Sequence, residues 1–207
     1  MQNDNRAQQT VLADGGPKRV KYVRKLEQVA QLSPEERDRL GPAAARYVFR
    51  ANDYYLGLVD WNDSHDPIRQ LIIPREEELT DWGTLDASNE ESVTVARGVQ
   101  HKYTDTVLLL CNEVCGAYCR YCFRKRLFMD DNDETVNDVT EGLAYIAAHP
   151  EVTNVLLTGG DPLLMSTRRL IEIFEALRAI PHVQVIRLGS KMPSRCKTRR
   201  LLICLSC

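Results

Sequence analysis

Cys115, Cys119 and Cys122, in the run Cys115-Gly116-Ala117-Tyr118-Cys119-Arg120-Tyr121-Cys122, put three thiolates at a spacing that suits three corners of a four-iron cluster. The fourth iron of such a cluster keeps a free coordination position. An open metal position is where a substrate or cofactor is bound and activated, so the spacing points to catalysis rather than electron transfer alone. The competing reading is a non-catalytic Cys-rich module, in which the triad and a tail cysteine, Cys204 or Cys207, close a zinc or iron–sulfur site with protein ligands alone. Cys111 ends an apolar run just before the triad and reads as a small buried side chain.

A second group of residues follows in Gly159-Gly160-Asp161-Pro162. The glycines let backbone approach a ligand without a side-chain clash, and Asp161 offers a carboxylate to an ammonium group. The same tetrapeptide by itself is also an ordinary strand-to-helix turn. Arg120, Arg124, Lys125 and Arg126 surround the last triad cysteine, interleaved with Tyr118, Tyr121 and Phe123. A solvated charge run and a single-stranded nucleic-acid surface are the alternatives for that pattern. Beside a metal site, these cations would offset thiolate charge and could clamp a carboxylate or phosphate, with Arg124 either an anion clamp or a surface charge. His65, His101, His149 and His182 show no metal-ligand spacing, and Trp61 and Trp82 read as packing anchors.

Elements must hold these loops in place. Thr106 to Cys111, Val152 to Thr158 and Val183 to Leu188 are short apolar runs typical of strands covered on both faces. Between them, Val136 to Ala148 and Thr167 to Ile180 carry apolar residues at helical spacing. Strand, helix, strand, helix, strand implies a parallel sheet with right-handed crossovers, and in such sheets chemistry gathers at the carboxyl ends of the strands. The cysteine triad and the glycine turn follow the first and second strands directly, so both fall on one rim. Upstream, Ser33-Pro34-Glu35-Glu36 is a capping box that opens a helix, with helical character expected through Leu58. The expected fold class is α/β. Residues 1–20 form a flexible leader, 21–100 an N-terminal helical and connecting segment, 101–193 a partial (β/α) barrel, and 194–207 an atypical basic, Cys-rich tail.

The chain has 207 residues, 43% hydrophobic and 27% charged, with a formal net charge of -2. That is a globular composition with no global attraction to nucleic acid and no apolar run long enough for a membrane span. The chain begins Met1-Gln2-Asn3-Asp4-Asn5-Arg6, without an apolar, small-residue-terminated leader, so a reduced, cytoplasmic setting is expected.

Cys115-x3-Cys119-x2-Cys122 with Phe123-Arg124-Lys125-Arg126, then Leu156-Leu157-Thr158-Gly159-Gly160-Asp161-Pro162-Leu163, resembles the radical S-adenosylmethionine superfamily, and within it the lysine 2,3-aminomutase family. His101-Lys102-Tyr103, Asp66-Pro67-Ile68-Arg69-Gln70, Ile73-Pro74 and Arg187-Leu188-Gly189-Ser190 add to the likeness, which covers roughly Ser33 to Pro193. The resemblance implies a [4Fe-4S] cluster on Cys115, Cys119 and Cys122, whose open iron binds S-adenosylmethionine and whose electron cleaves it to a 5'-deoxyadenosyl radical. It further implies an amino acid held on pyridoxal phosphate, a 1,2-amino migration, and an external electron donor. By matching position, Gly159, Gly160 and Asp161 would meet the methionine ammonium of S-adenosylmethionine, and Arg124 the substrate carboxylate. Free lysine, another amino acid and protein-bound lysine all occur as substrates in the family.

Two departures accompany the likeness. The family typically has arginines near Tyr103, at the phosphate of pyridoxal phosphate, where this sequence has Lys102 and Thr106. The family's barrel also continues past the third strand into a portion with the pyridoxal-binding lysine and the acidic residues for the substrate ammonium. Here the likeness stops at Met192-Pro193, as a shifted frame or truncated gene would produce, and the chain is expected to be an inactive, poorly stable fragment with an exposed strand edge.

Overall fold

The computed structural model describes residues 20–81, 83–129 and 134–192. The expectations for the leader up to residue 19, for Trp82, and for the tail from residue 194 lie outside these residues.

In chain order the elements are β1 (Tyr22–Val23), α1 (Pro34–Arg46), β2 (Ala51–Asn52), α2 (Asp53–Leu56), α3 (Pro67–Ile72), β3 (Thr94–Ala96), β4 (Val99–Tyr103), β5 (Thr106–Asn112), α4 (Thr140–Ala148), β6 (Asn154–Gly159), α5 (Thr167–Arg178) and β7 (Val185–Leu188). Helix α1 starts where the capping box places it. Ser33 Oγ accepts the Glu36 amide at 3.1 Å, and the Glu36 carboxylate accepts the Ser33 amide at 3.1 Å. The helix ends at Arg46, earlier than expected, and the chain turns into β2, which pairs antiparallel with β1.

The main sheet has the order β3-β4-β5-β6-β7. Strands β5, β6 and β7 are parallel, joined through α4 and α5 as the apolar pattern predicts, with Leu109 beside Leu157 and Leu157 beside Leu188. The expected all-parallel sheet of three strands is nonetheless incomplete, because β3 and β4 extend it antiparallel from the β5 side. Their signal is weak for a physical reason. Strand β4 reads Val99-Gln100-His101-Lys102-Tyr103, buried at its start and exposed at its end, and β3 has only three residues. Strand β7 also differs from the doubly covered strand its apolar run suggests. It is the outermost strand, and Val185 is 45% exposed.

Among the described residues two large apolar cores result, with a smaller cluster of Leu163, Leu170 and Met192. Val107, Leu109, Val155 and Leu157 of the sheet pack with Ile146 of α4 and with Ile173 and Leu177 of α5. A second core gathers Leu40, Phe49, Ala51, Tyr55 and Ile72 of the N-terminal segment, and it includes Ala117 from the cysteine loop. Among the described residues, no helix is long and apolar enough to cross a membrane.

Candidate functional site: the cysteine loop and the glycine turn

Strand β5 delivers the chain to its carboxyl end at Asn112, and the cysteine loop follows. The N-terminal segment grips this loop through its backbone. Arg50 Nε donates to the Cys115 carbonyl at 2.8 Å, Asn52 Nδ2 to the Gly116 carbonyl at 3.0 Å, the Tyr118 amide to the Arg50 carbonyl at 2.9 Å, and the Arg120 amide to the Leu71 carbonyl at 2.9 Å. With Ala117 in the second core, the loop is a seam between both halves of the molecule.

Cys115 and Cys122 are half-buried, and Cys119 and Cys111 are buried. Among the described residues, no group of three or more His, Cys, Asp or Glu side chains is drawn together tightly enough for a single metal ion. An all-cysteine donor set is of the kind that ligates both iron–sulfur clusters and zinc. Burial pushes the Cys122 thiol up, and the neighbouring Cys119 adds to the effect. Lys191, just after β7, extends Nζ toward Cys119 Sγ at 3.9 Å and donates to the Tyr121 hydroxyl at 3.2 Å. Cys111 is apart from the triad. It lies in the sheet core, donates to the Thr158 carbonyl at 3.7 Å, and burial pushes its thiol up to about 11.

The glycine turn after β6 presses directly on the cysteine loop. The Gly160 amide donates to the Asn112 carbonyl and the Asp161 amide donates to the Val114 carbonyl at 2.8 Å. Gly159 has φ +103°, and a Cβ on Gly160 would stand 2.5 Å from the Val114 carbonyl oxygen. Only glycine lets these backbones meet so closely. Asn112 ties the two loops, donating Nδ2 to the Val114 carbonyl at 2.9 Å and to the Asp161 carbonyl at 2.6 Å.

The Asp161 carboxylate is buried and internally engaged. It accepts the Leu163 amide at 3.0 Å, the Ser190 hydroxyl at 2.6 Å and the Lys191 amide at 2.8 Å. Its side chain therefore joins the β6 and β7 loops.

The basic run is also internally engaged. Arg120 and Lys125 pair with Glu78, Arg124 with Glu90, and Arg126 with Glu90, Glu134 and Asp86, so four cations face four carboxylates. Arg124 is buried. It donates Nε and Nη2 to Glu90, Nη1 to the Thr158 hydroxyl at 3.1 Å and Nη2 to Gln100 Oε1 at 3.2 Å. Of the five guanidinium hydrogens, one on Nη1 is left for another acceptor. Burial works against the Glu90 carboxylate, but hydrogen bonds and charge from Arg124 and Arg126 outweigh it and hold Glu90 below its ordinary value.

Lys102, Tyr103 and Thr106 lie elsewhere. Tyr103 pairs with Thr106 at the start of β5, the opposite end of that strand from the cysteine loop. The described residues there do not gather a phosphate-binding set around the cysteine loop.

Several contributors carry little signal in the sequence. Asn52 sits in a two-residue strand with Arg50 just before it, Glu78 and Glu90 lie in an acidic connection, and Asn112 ends an apolar run. The one available cue is a polar residue flanked by apolar neighbours, as in Phe49-Arg50-Ala51-Asn52.

No family model matches the chain. It is 53% identical over 175 residues to an Aquifex aeolicus protein provisionally named L-lysine 2,3-aminomutase, covering 84% of this chain and 47% of that protein. It is 38% identical over 178 residues to the L-lysine 2,3-aminomutase of Fusobacterium nucleatum, covering 84% of this chain and 42% of the relative. It is 35% identical over 178 residues to that of Clostridium subterminale, covering 84% and 43%. The chain thus spans about half the length of the curated relatives it matches. Over the part they share, these likenesses support a relationship to the aminomutases.

Proposed function

We propose that the chain is part of a radical S-adenosylmethionine enzyme of the lysine 2,3-aminomutase type, catalysing a 1,2-amino migration on an amino acid. In this reading the sheet and helices from residue 101 to 193 are a portion of a (β/α) barrel, with the cysteine loop and glycine turn on its rim. The observation that carries it is the abutment of Gly160 on Val114, which puts the glycine turn directly against the loop that bears the three cysteines.

Cys115, Cys119 and Cys122 would hold the cluster. The Gly159 to Asp161 backbone would meet the methionine end of S-adenosylmethionine. When bound, the cluster and S-adenosylmethionine supply a reducing electron from an external donor and a source of a carbon-centred radical, while pyridoxal phosphate carries the amino acid. The chain's own residues position these groups. Arg50, Asn52 and Ala117 fix the loop, and Asn112 and Asp161 fix the turn. Lys191 presents a positive charge toward Cys119. Arg124 would meet a substrate carboxylate through its spare Nη1 hydrogen while remaining on Glu90. The setting is cytoplasmic, the substrate is a small amino acid, and neither nucleic acid nor a membrane is a partner.

A second reading rests on a specific feature of the tail. Cys204 and Cys207 are themselves spaced as a CxxC pair, and either one could join the triad to close a four-thiolate site with protein ligands alone. Alanine substitution separates the two. After anaerobic reconstitution with iron and sulfide, single changes at Cys115, Cys119 or Cys122 are expected to abolish four-iron loading, while C204A and C207A leave it unchanged. Metal loss in C204A or C207A would favour the closed site.

A further inference from the structure

Four arginines are buried in the described structure: Arg50, Arg120, Arg124 and Arg126. The last three meet carboxylates, so the basic run contributes little uncompensated charge to the cysteine loop. Arg50 meets no carboxylate within ion-pair distance among the described residues, although it is only 7% exposed. Its guanidinium lies over the Tyr22 ring at 4.1 Å and donates Nε to the Cys115 carbonyl at 2.8 Å. Arg24 adds positive charge on the same side, and exposed Glu113 adds negative charge near Tyr118. A cation withdrawn from water without a counter-ion is costly, and natural sites pair it.

We propose that Arg50 is the built-in counter-charge of a cluster held through Cys115, a positioning residue that favours the reduced, more negative state of that cluster. The proposal rests on the cluster reading above. A thiolate-ligated cubane is anionic and gains a further negative charge on reduction, so a fixed cation beside one ligating residue stabilises the reduced form more than the oxidised. The cations expected from sequence to do this, Arg120 to Arg126, are already matched by acids. Beside Lys191 at Cys119, the buried surplus charge comes from the N-terminal segment, at Arg50 just before the strand that grips the loop.

The test is an anaerobic redox titration of the reconstituted protein, following the reduced-cluster signal, for wild type, R50K, R50Q and R50M at matched iron and sulfide content. Gln keeps a donor for the Cys115 carbonyl but loses the charge; Met keeps the buried stem should Gln fail to fold. The expected result is a fall of about tenfold in the reduced-to-oxidised ratio at a given applied potential for R50Q and R50M, equivalent to ~59 mV for one electron. R50K should stay close to wild type. Unchanged potentials in R50Q and R50M would overturn the role of Arg50 while leaving the cluster reading intact, since a merely structural Arg50 would lower loading without moving the potential. A wild-type protein that assembles no four-iron cluster would overturn the cluster reading itself, and this inference with it.

Discussion

Glu90 is the residue on which most of the buried charge near the cysteine loop depends. It accepts from Arg124 and Arg126, and each of those guanidinium groups is about nine-tenths buried. Replacing it with Gln removes one negative charge and leaves two buried cations short of it. We expect E90Q to lose about 3–5 kcal/mol by chemical denaturation. The sign of its pH dependence follows from the lowered Glu90 pKa. The stabilisation is present above its ordinary value of 4.5 and is lost as pH falls through the lower folded value, so the acid limb should flatten in E90Q. Gly160 makes a different kind of prediction. A methyl group at this position meets the Val114 carbonyl at 2.5 Å, and backbone has little room to retreat. G160A should cost about 1–3 kcal/mol through overpacking, and bound iron per chain should fall with it. Full iron loading in a G160A protein of wild-type melting temperature would contradict the close meeting of the two loops.

At the scale of elements, β5 carries the loop and its packing can be tested at Cys111. Burial pushes the folded thiol up to about 11, from an ordinary value of 9.0. The folded state therefore keeps its proton where the unfolded chain loses it. Stability from this group is full below pH 9 and falls as pH rises toward 11, by about 2–3 kcal/mol. The apolar C111V variant should lack that decline, a difference read from denaturation curves of both proteins across the alkaline range. Strand β5 was legible from sequence because it is apolar and continuous, and so were α4 and α5, whose apolar residues recur at helical spacing. Strands β3 and β4 were not, because one is very short and the other turns polar where it leaves the core. The site divides the same way. The three cysteines and the glycine turn stand out because their chemistry is local in sequence. Glu78 and Glu90 do not, because the cations they match lie 34 to 47 residues away.

Among the described residues the two larger cores are joined at the cysteine loop, with the free edge of β7 at one side of the sheet. An outer strand with an exposed Val185 is a template for pairing with another chain. Light scattering should show self-association that V185K reduces, whereas equal scattering by the two proteins would mean that this edge is protected in solution. The two cores also bear on function, since the loop between them holds its thiols only while both halves are folded. The most direct measurement is electron paramagnetic resonance of the reduced, anaerobically reconstituted protein before and after addition of S-adenosylmethionine. A four-iron signal that requires Cys115, Cys119 and Cys122 and changes shape on addition is the expected result. A metal centre that ignores S-adenosylmethionine and depends on Cys204 or Cys207 would contradict it.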